Sequence, residues 1–263
     1  MKEKEMKMKR RKFALVLLVI LVLLGSIVLT KEYFTSYYEA ASRSKNIKKA
    51  NEDNPRFSVD GWVRVQGTKI DYPVIYNGPD TIIEDYNGDY IWINNDATEL
   101  TNVVSIFGHN IMNLSSKPLI ADPSHVRFEQ LPSFLYYDFV YDNKYIQYTV
   151  GNKDYLYKIY GVSLVSNDKL LFYTENEDEN ILKDYIKEVK KASFFDFDID
   201  VNENDKLIIL TTCTRFFESN KYSLRIDGRL VRENERISNY GVKEKKNYEK
   251  IKKIMKGDNE IEE

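Results

Sequence analysis

Residues 206–213 read KLIILTTC, an unbroken apolar run that ends in two threonines and a cysteine. A run without polar interruption is typical of a strand that is buried on both faces. Residues 222–231, YSLRIDGRLV, follow after a short polar stretch and predict a neighbouring strand. Cys213 therefore stands at the end of a buried strand, where a sheet holds a side chain rigidly and within reach of solvent.

The sequence before this strand predicts further strands that are separated by turns. Short alternating segments begin at Phe57, with Asp-Gly, Asn-Gly and Asn-Asp pairs between them. These segments are FSVDGWVRVQG, KIDYPVIYNG, DYIWINND, NVVSIFGHN, FVYDN, YIQYTVGN and YLYKIYGVSLV, and a short helix or turn, HVRFEQLPSFL, precedes FVYDN.

One segment of this region predicts a substantial helix, residues 177–192, EDENILKDYIKEVKKA. Acidic residues occupy its first turn, lysines lie near its end, and its apolar positions share one face. Seven or eight strands with a single long helix late in the order predict a mostly β protein, a closed or nearly closed barrel with peripheral helices.

The N-terminal end predicts a membrane anchor. Residues 13–30, FALVLLVILVLLGSIVLT, carry no charge, and a helix needs about 20 apolar residues to cross a bilayer. The basic segment 1–12 precedes them and favours the cytoplasmic side. The alternative, a cleavable signal peptide, would have a shorter apolar region and a small-residue cleavage site. We expect a single-pass protein of the cell membrane, with a cytoplasmic N-terminus and an extracellular catalytic domain.

Composition divides the rest of the chain into three parts. A helical linker is predicted for residues 31–55, and the strand-rich domain for residues 56–231. Residues 232–263 form a charged tail, which could be either a solvated helix or disordered. The chain has 39 basic and 41 acidic residues, so no global field points toward nucleic acid. Two histidines and one cysteine are too few to predict a metal site, and no glycine-rich phosphate loop indicates a cofactor.

Cys213 is the single cysteine and cannot form an internal disulfide. It is either a reactive thiol or a buried structural residue. Because a free thiol is only a few per cent thiolate at neutral pH, a nucleophilic cysteine needs a basic neighbour. His109 is the better candidate, since it ends another apolar strand and follows Gly108, whereas His125 lies in a loop-like segment.

A cation should complete such a site, because acyl transfer passes through a tetrahedral intermediate with negative charge on oxygen. Arg225 lies on the strand after Cys213, and the planar fork of an arginine makes two oriented hydrogen bonds. Arg215, two residues beyond the cysteine, is the competing candidate.

These residues resemble the sortases. LTTC is similar to their TLxTC signature and FGHN to their histidine segment, and other stretches resemble successive sortase strands. A long helix between the sixth and seventh strands is typical of class B rather than class A. The stretches that carry the resemblance are 70–74, 107–110, 127–131, 139–162, 177–192 and 210–213.

The resemblance implies an eight-stranded sortase barrel and a cysteine transpeptidase. In that family the cysteine, here Cys213, attacks the C-terminal sorting signal of a secreted protein and forms a thioester acyl-enzyme. An amine of a peptidoglycan precursor or a pilin then releases the acyl group. His109 would be the acid and base, and Arg225 the arginine, although the family register without gaps falls on Ser223.

The resemblance also implies that Thr211, Thr212 and Tyr173 bind the substrate. Two other functions remain open. A catalytically silent membrane-anchored surface scaffold would fit the displaced arginine. A papain-like cysteine wall hydrolase fits less well, because its cysteine normally precedes its histidine, whereas here His109 precedes Cys213.

Overall fold

The computed structural model describes residues 6, 11–20, 43–53, 58–76, 91–93, 99–110, 127–151, 153–167, 177–218 and 221–256. The chain divides into two compact units, Met1–Arg43 and Ser44–Glu263. In the first unit residues 11–20 are helical, and in the second residues 44–53 are helical.

The predicted membrane location is corrected by this structure. Among the described residues no helix is both long enough and apolar enough to cross a bilayer. Of the predicted anchor 13–30, residues 21–30 lie outside the described ranges. The prediction of a single-pass cell-membrane protein with an extracellular catalytic domain is therefore wrong for the part of the chain that the structure describes.

Eight strands close into a barrel in the order β1-β2-β3-β4-β8-β9-β6-β5, and β7 and β10 form a separate two-stranded sheet. The predicted eight-stranded, mostly β fold is confirmed. The strands are β1 Val59–Val65, β2 Asp71–Tyr76, β3 Ile91–Ile93, β4 Val103–Gly108, β5 Tyr145–Val150, β6 Lys153–Ser166, β7 Phe195–Phe197, β8 Leu207–Cys213, β9 Tyr222–Leu230 and β10 Val242–Glu244.

Besides the helical segments 11–20 and 44–53, the described residues form α1 Tyr137–Asp142, α2 Glu179–Ala192 and α3 Tyr248–Met255, with a 3-10 turn at Leu131–Leu135. The long helix predicted between the sixth and seventh barrel strands is α2. The Asp178 side chain accepts a 2.8 Å hydrogen bond from the Asn180 backbone N–H and so satisfies one of the free donors at the N-terminus of α2.

The segment FVYDN differs from its prediction as a strand, because it belongs to helix α1. Its buried residues, Phe139 and Val140, belong to the same core cluster as buried residues of the preceding 3-10 turn. Leu131, Leu135 and Phe139 lie in one core cluster, although the extended backbone of Tyr136 separates the turn from the helix. The aromatic and β-branched residues of the segment favoured a strand, but so short an apolar run does not distinguish a strand from a helix by periodicity.

Strand β8 is buried on both faces, as its apolar sequence predicts. Ile208 and Leu210 belong to the main core, whereas Leu207 and Ile209 belong to a second cluster that packs β8 against α2. Every residue of the strand is buried except the last, Cys213.

The described part of the predicted tail, residues 232–256, packs on the barrel. Tyr248 of α3 is 2% exposed and its hydroxyl donates a 2.5 Å hydrogen bond to the Leu135 carbonyl. The Tyr240 hydroxyl lies 2.8 Å from the Ile159 carbonyl of β6. Of the two possibilities left open for this segment, the structure therefore has a helix, and its inner face is buried.

Candidate active site

The site lies where β4 and β8 end side by side. The two strands are parallel, and their last register pair is Phe107 with Thr211. His109 and Cys213 each stand two residues further along, so both side chains share the face of that pair. Because neighbouring strands are about 4.8 Å apart, the structure brings the histidine and cysteine backbones together.

Two side-chain hydrogen bonds continue the contact between β4 and β8 beyond the last register pair. The Thr212 hydroxyl donates to the Gly108 carbonyl at 2.7 Å, and the Asn110 amide donates to the Cys213 carbonyl at 3.1 Å. Asn110 was not singled out from the sequence. The signal was available, since a short amide side chain directly follows a candidate catalytic histidine at a strand end.

Cys213 is exposed and has no disulfide partner. The six residues of β8 that precede it are buried, so the sheet fixes its backbone while its side chain meets solvent. This is the arrangement that a nucleophile needs, and it differs from that of a buried structural cysteine.

His109 is half-buried, and its ring centroid lies 4.9 Å from that of Trp92 at an interplanar angle of 52°. Burial, followed by the positive charges of Arg127 and Arg215, lowers the pKa of His109. All three effects disfavour the imidazolium, so the ring is neutral at neutral pH and can accept a proton.

Arg225 lies opposite Thr211 in the pairing of β8 with β9 and so shares the face of Cys213, as its position in the sequence suggested. Its guanidinium, however, points toward α2. Nε donates to Asp227 at 3.0 Å, and the guanidinium carbon lies 5.0 Å from the ring centroid of Tyr185. The Tyr185 hydroxyl donates to the same carboxylate.

The Arg225 guanidinium is charged although it is only 2% exposed. Burial opposes its charge, but Asp227 and Tyr185 raise the pKa of Arg225 above its usual value. Burial also raises the pKa of Asp227, and Arg225 opposes that shift. The pair is thus a buried contact between the barrel and α2, which Tyr185 completes.

Arg215 is exposed, and its Nε donates to the Asn110 carbonyl at 3.3 Å. This hydrogen bond places the guanidinium beside the residue that follows His109, and its charge contributes, after burial and Arg127, to the lowered pKa of His109. Of the two candidate arginines, Arg215 is therefore the one whose guanidinium lies beside the histidine segment. The assignment of the catalytic role to Arg225 stays a prediction.

The three predicted substrate-binding residues are placed differently from one another. Thr211 and Thr212 are 5% and 3% exposed, and the Thr212 hydroxyl is bound to the Gly108 carbonyl. Tyr173 lies outside the described residues. Within the described ranges no group of three or more histidine, cysteine or acidic side chains is arranged to hold a metal ion.

No protein-family model matches the chain. The chain is 26% identical over 212 residues to sortase B of Listeria monocytogenes, an alignment that covers 78% of this chain and 81% of that protein. By sequence and fold, the chain is related to the class B sortases. It is also 19% identical over 178 residues to sortase B of Staphylococcus aureus, covering 64% of this chain and 66% of that protein.

Solved structures of class B sortases share the fold. Clostridium perfringens sortase B matches with a TM-score of 0.57 at 22% identity, covering 70% of this chain and 99% of that one. A Staphylococcus aureus sortase B–substrate complex matches with a TM-score of 0.54 at 16% identity, covering 77% and 97%. The resemblance stated from the sequence is confirmed, and the class B relatives indicate a cysteine transpeptidase.

Proposed function

We propose that this cysteine transpeptidase cleaves the C-terminal sorting signal of secreted proteins and transfers them to an amine. One observation carries the proposal: His109 and the exposed thiol of Cys213 stand at equivalent positions on the adjacent ends of β4 and β8. Staphylococcus aureus sortase B has been crystallised with its substrate, and a sortase B has been crystallised with triglycine, which carries a free amine. Those complexes support an amine acceptor, which in a cell would belong to a peptidoglycan precursor or a pilin.

The chemistry has two halves that use the same pair of residues. The Cys213 sulfur attacks the carbonyl carbon of the scissile amide, and its proton passes to His109. When the tetrahedral intermediate collapses, the C–N bond breaks, and the leaving amine takes that proton. The product is a thioester between the substrate and Cys213.

In the second half the acceptor amine attacks the thioester carbonyl and gives a proton to His109. The C–S bond then breaks, and the sulfur recovers the proton from the imidazolium. A ring that is neutral at rest, because its pKa is lowered, fits the acceptance of a proton in each half.

The oxyanion of both intermediates needs a cationic donor, and the two arginines offer different supports. Arg215 is exposed and lies beside the histidine segment, so a substrate can reach it without rearrangement of the barrel. Arg225 has one buried nitrogen, Nη2, without a hydrogen-bond partner among the described residues, but its other contacts hold it against Asp227 and Tyr185. We propose Arg215 for this role and keep Arg225 as the alternative to be tested.

The test is to incubate the full chain with a library of sorting-signal peptides, with and without triglycine, and to analyse protein and products by mass spectrometry. We expect an acyl adduct on Cys213 and a ligated product when triglycine is present. Cys213→Ala is the control and should give neither. Cleavage with transfer to water alone would indicate a hydrolase, and absence of any adduct would indicate a silent scaffold.

A further inference from the structure

At the ends of β4 and β8, alternate side chains point to opposite faces of the sheet. His109 and Cys213 share one face, and the residues that alternate with them, Asn110 and Thr212, are 2% and 3% exposed. Both buried side chains bind a backbone carbonyl of the opposite strand. The register pairing ends at Phe107 with Thr211, so side chains fix the strands where the chemistry takes place.

We propose that Asn110 is a positioning residue that holds the imidazole of His109 and the thiol of Cys213 at reacting distance. The inference rests on the proposed function for the chemistry that this distance serves. Asn110 is the residue after His109 in the chain, and its amide nitrogen lies 3.1 Å from the carbonyl oxygen of Cys213 itself. A single buried side chain thus ties the backbone of one reacting residue to that of the other.

The backbone of Asn110 makes a third connection. Its carbonyl accepts the 3.3 Å hydrogen bond from Arg215 Nε, so the residue contacts the histidine, cysteine and arginine segments. A displacement of Asn110 would move all three relative to one another. A misplacement of about 1 Å can lower a reaction rate about 10²-fold. Loss of the hydrogen bond from Asn110 to the Cys213 carbonyl should therefore affect the rate more than it affects the free energy of unfolding.

Two neutral substitutions remove the tie without adding charge beside His109. Asn110→Leu keeps the branched shape and the number of side-chain heavy atoms but has no donor for the Cys213 carbonyl. Asn110→Ser keeps a polar group but is too short to reach it, and it serves if the leucine variant does not fold. The matched control is Asn102→Leu, since the Asn102 amide also donates to a backbone carbonyl, that of Glu177 at 2.8 Å, close to the opposite end of β4.

The first measurement is the alkylation rate of Cys213 by iodoacetamide as a function of pH, in the full chain and below each melting temperature. In the wild type His109 takes the thiol proton and sustains the reaction at neutral pH. We expect both Asn110 variants to react about tenfold more slowly near pH 7, with the profile displaced to higher pH. The Asn102→Leu profile should overlay that of the wild type.

The second measurement is peptide cleavage, in which kcat should fall about 10- to 100-fold with KM nearly unchanged. An alkylation profile that overlays the wild type in a folded Asn110 variant overturns the proposal, even if its melting temperature falls. This reading does not depend on the substrate. If the wild type cleaves no peptide, the proposed function fails, while the alkylation profiles still decide whether Asn110 positions the pair.

Discussion

Replacing Arg225 should cost this protein stability, whereas replacing Arg215 should cost it activity. Arg225→Leu leaves the fully buried carboxylate of Asp227 without its counter-charge, although the Tyr185 hydroxyl still donates to it. Removing one partner of a buried ion pair typically costs about 3–5 kcal/mol. For a domain of this size each kcal/mol lowers the melting temperature by about 2–4 °C, so the expected loss is about 6–20 °C.

Arg215→Leu changes an exposed side chain whose one described hydrogen bond is 3.3 Å long. Its melting temperature should stay within about 2 °C of the wild type, because surface substitutions usually change stability by no more than about 0.5 kcal/mol. Its kcat for peptide cleavage should fall about 10²–10³-fold, as is typical when an oxyanion donor is lost. Thermal unfolding followed by circular dichroism and a peptide-cleavage assay at 25 °C separate the two effects.

A matched pair of lysine variants tests the assignment further. Arg225→Lys keeps a positive charge for Asp227, so it should retain more stability than Arg225→Leu and should cleave peptide at nearly the wild-type rate. Arg215→Lys loses the planar guanidinium that makes two oriented hydrogen bonds, so its kcat for peptide cleavage should fall. The reasoning is refuted if Arg225→Leu melts within about 2 °C of the wild type, or if Arg225→Lys loses about 10²-fold in kcat while Arg215→Lys does not.

The stability deficit of Arg225→Leu should also depend on pH. Burial already raises the pKa of Asp227, and loss of the guanidinium raises it further. The folded variant then binds a proton that the unfolded chain does not, so its stability falls as pH rises. The difference in unfolding free energy from the wild type should therefore be larger at pH 8 than at pH 5, as measured by urea titration.

Three other predictions concern the site and the packing of the fold. The acidic limb of the pH profile of kcat/KM should have its midpoint below 6.5, because burial and the neighbouring arginines lower the pKa of His109, and Arg215→Gln should move the limb to higher pH. Gly108→Ala should destabilise the fold by about 1–3 kcal/mol in urea titrations, since the added methyl carbon would stand 2.7 Å from the Phe128 ring. Tyr248→Ala should cost about 3–5 kcal/mol in the same assay, a loss that a solvated helix would not show.

The barrel and the positions of His109 and Cys213 at strand ends could be predicted from the sequence because their signals are local. The apolar run of β8 predicts a buried strand with Cys213 at its end, at the edge of the barrel. The same pattern in β4 predicts the position of His109. Helix α2 could likewise be predicted, because its apolar face and the charges at its ends lie within one continuous segment of the sequence.

What could not be predicted depends on contacts between distant segments. The register of β9 places Arg225 on the correct face, but its guanidinium direction is decided by Asp227 and by Tyr185, which belongs to α2. Asn110 belongs to no periodic pattern in the sequence, and its proposed role depends on the Cys213 carbonyl, which is distant along the chain. The packing of the tail depends on Tyr248, whose partner Leu135 belongs to another element.

The strand topology at the barrel edge where β4 and β8 end, here called the lip, favours Arg215 over Arg225 as the proposed oxyanion donor. Because β4 and β8 are parallel, both end at the same edge of the barrel, which an antiparallel pair could not do. Strand β9 is antiparallel to β8 and starts at that edge, with Ser223 opposite Cys213. Each further residue along β9 moves about 3.3 Å away from the lip, so Arg225 stands about 7 Å down the strand, whereas Arg215 lies in the connection at the edge itself. A residue of β9 can thus share the face of the thiol while its guanidinium is held elsewhere, as that of Arg225 is held against Asp227 and Tyr185. Arg215 is therefore the cation that we propose for the oxyanion.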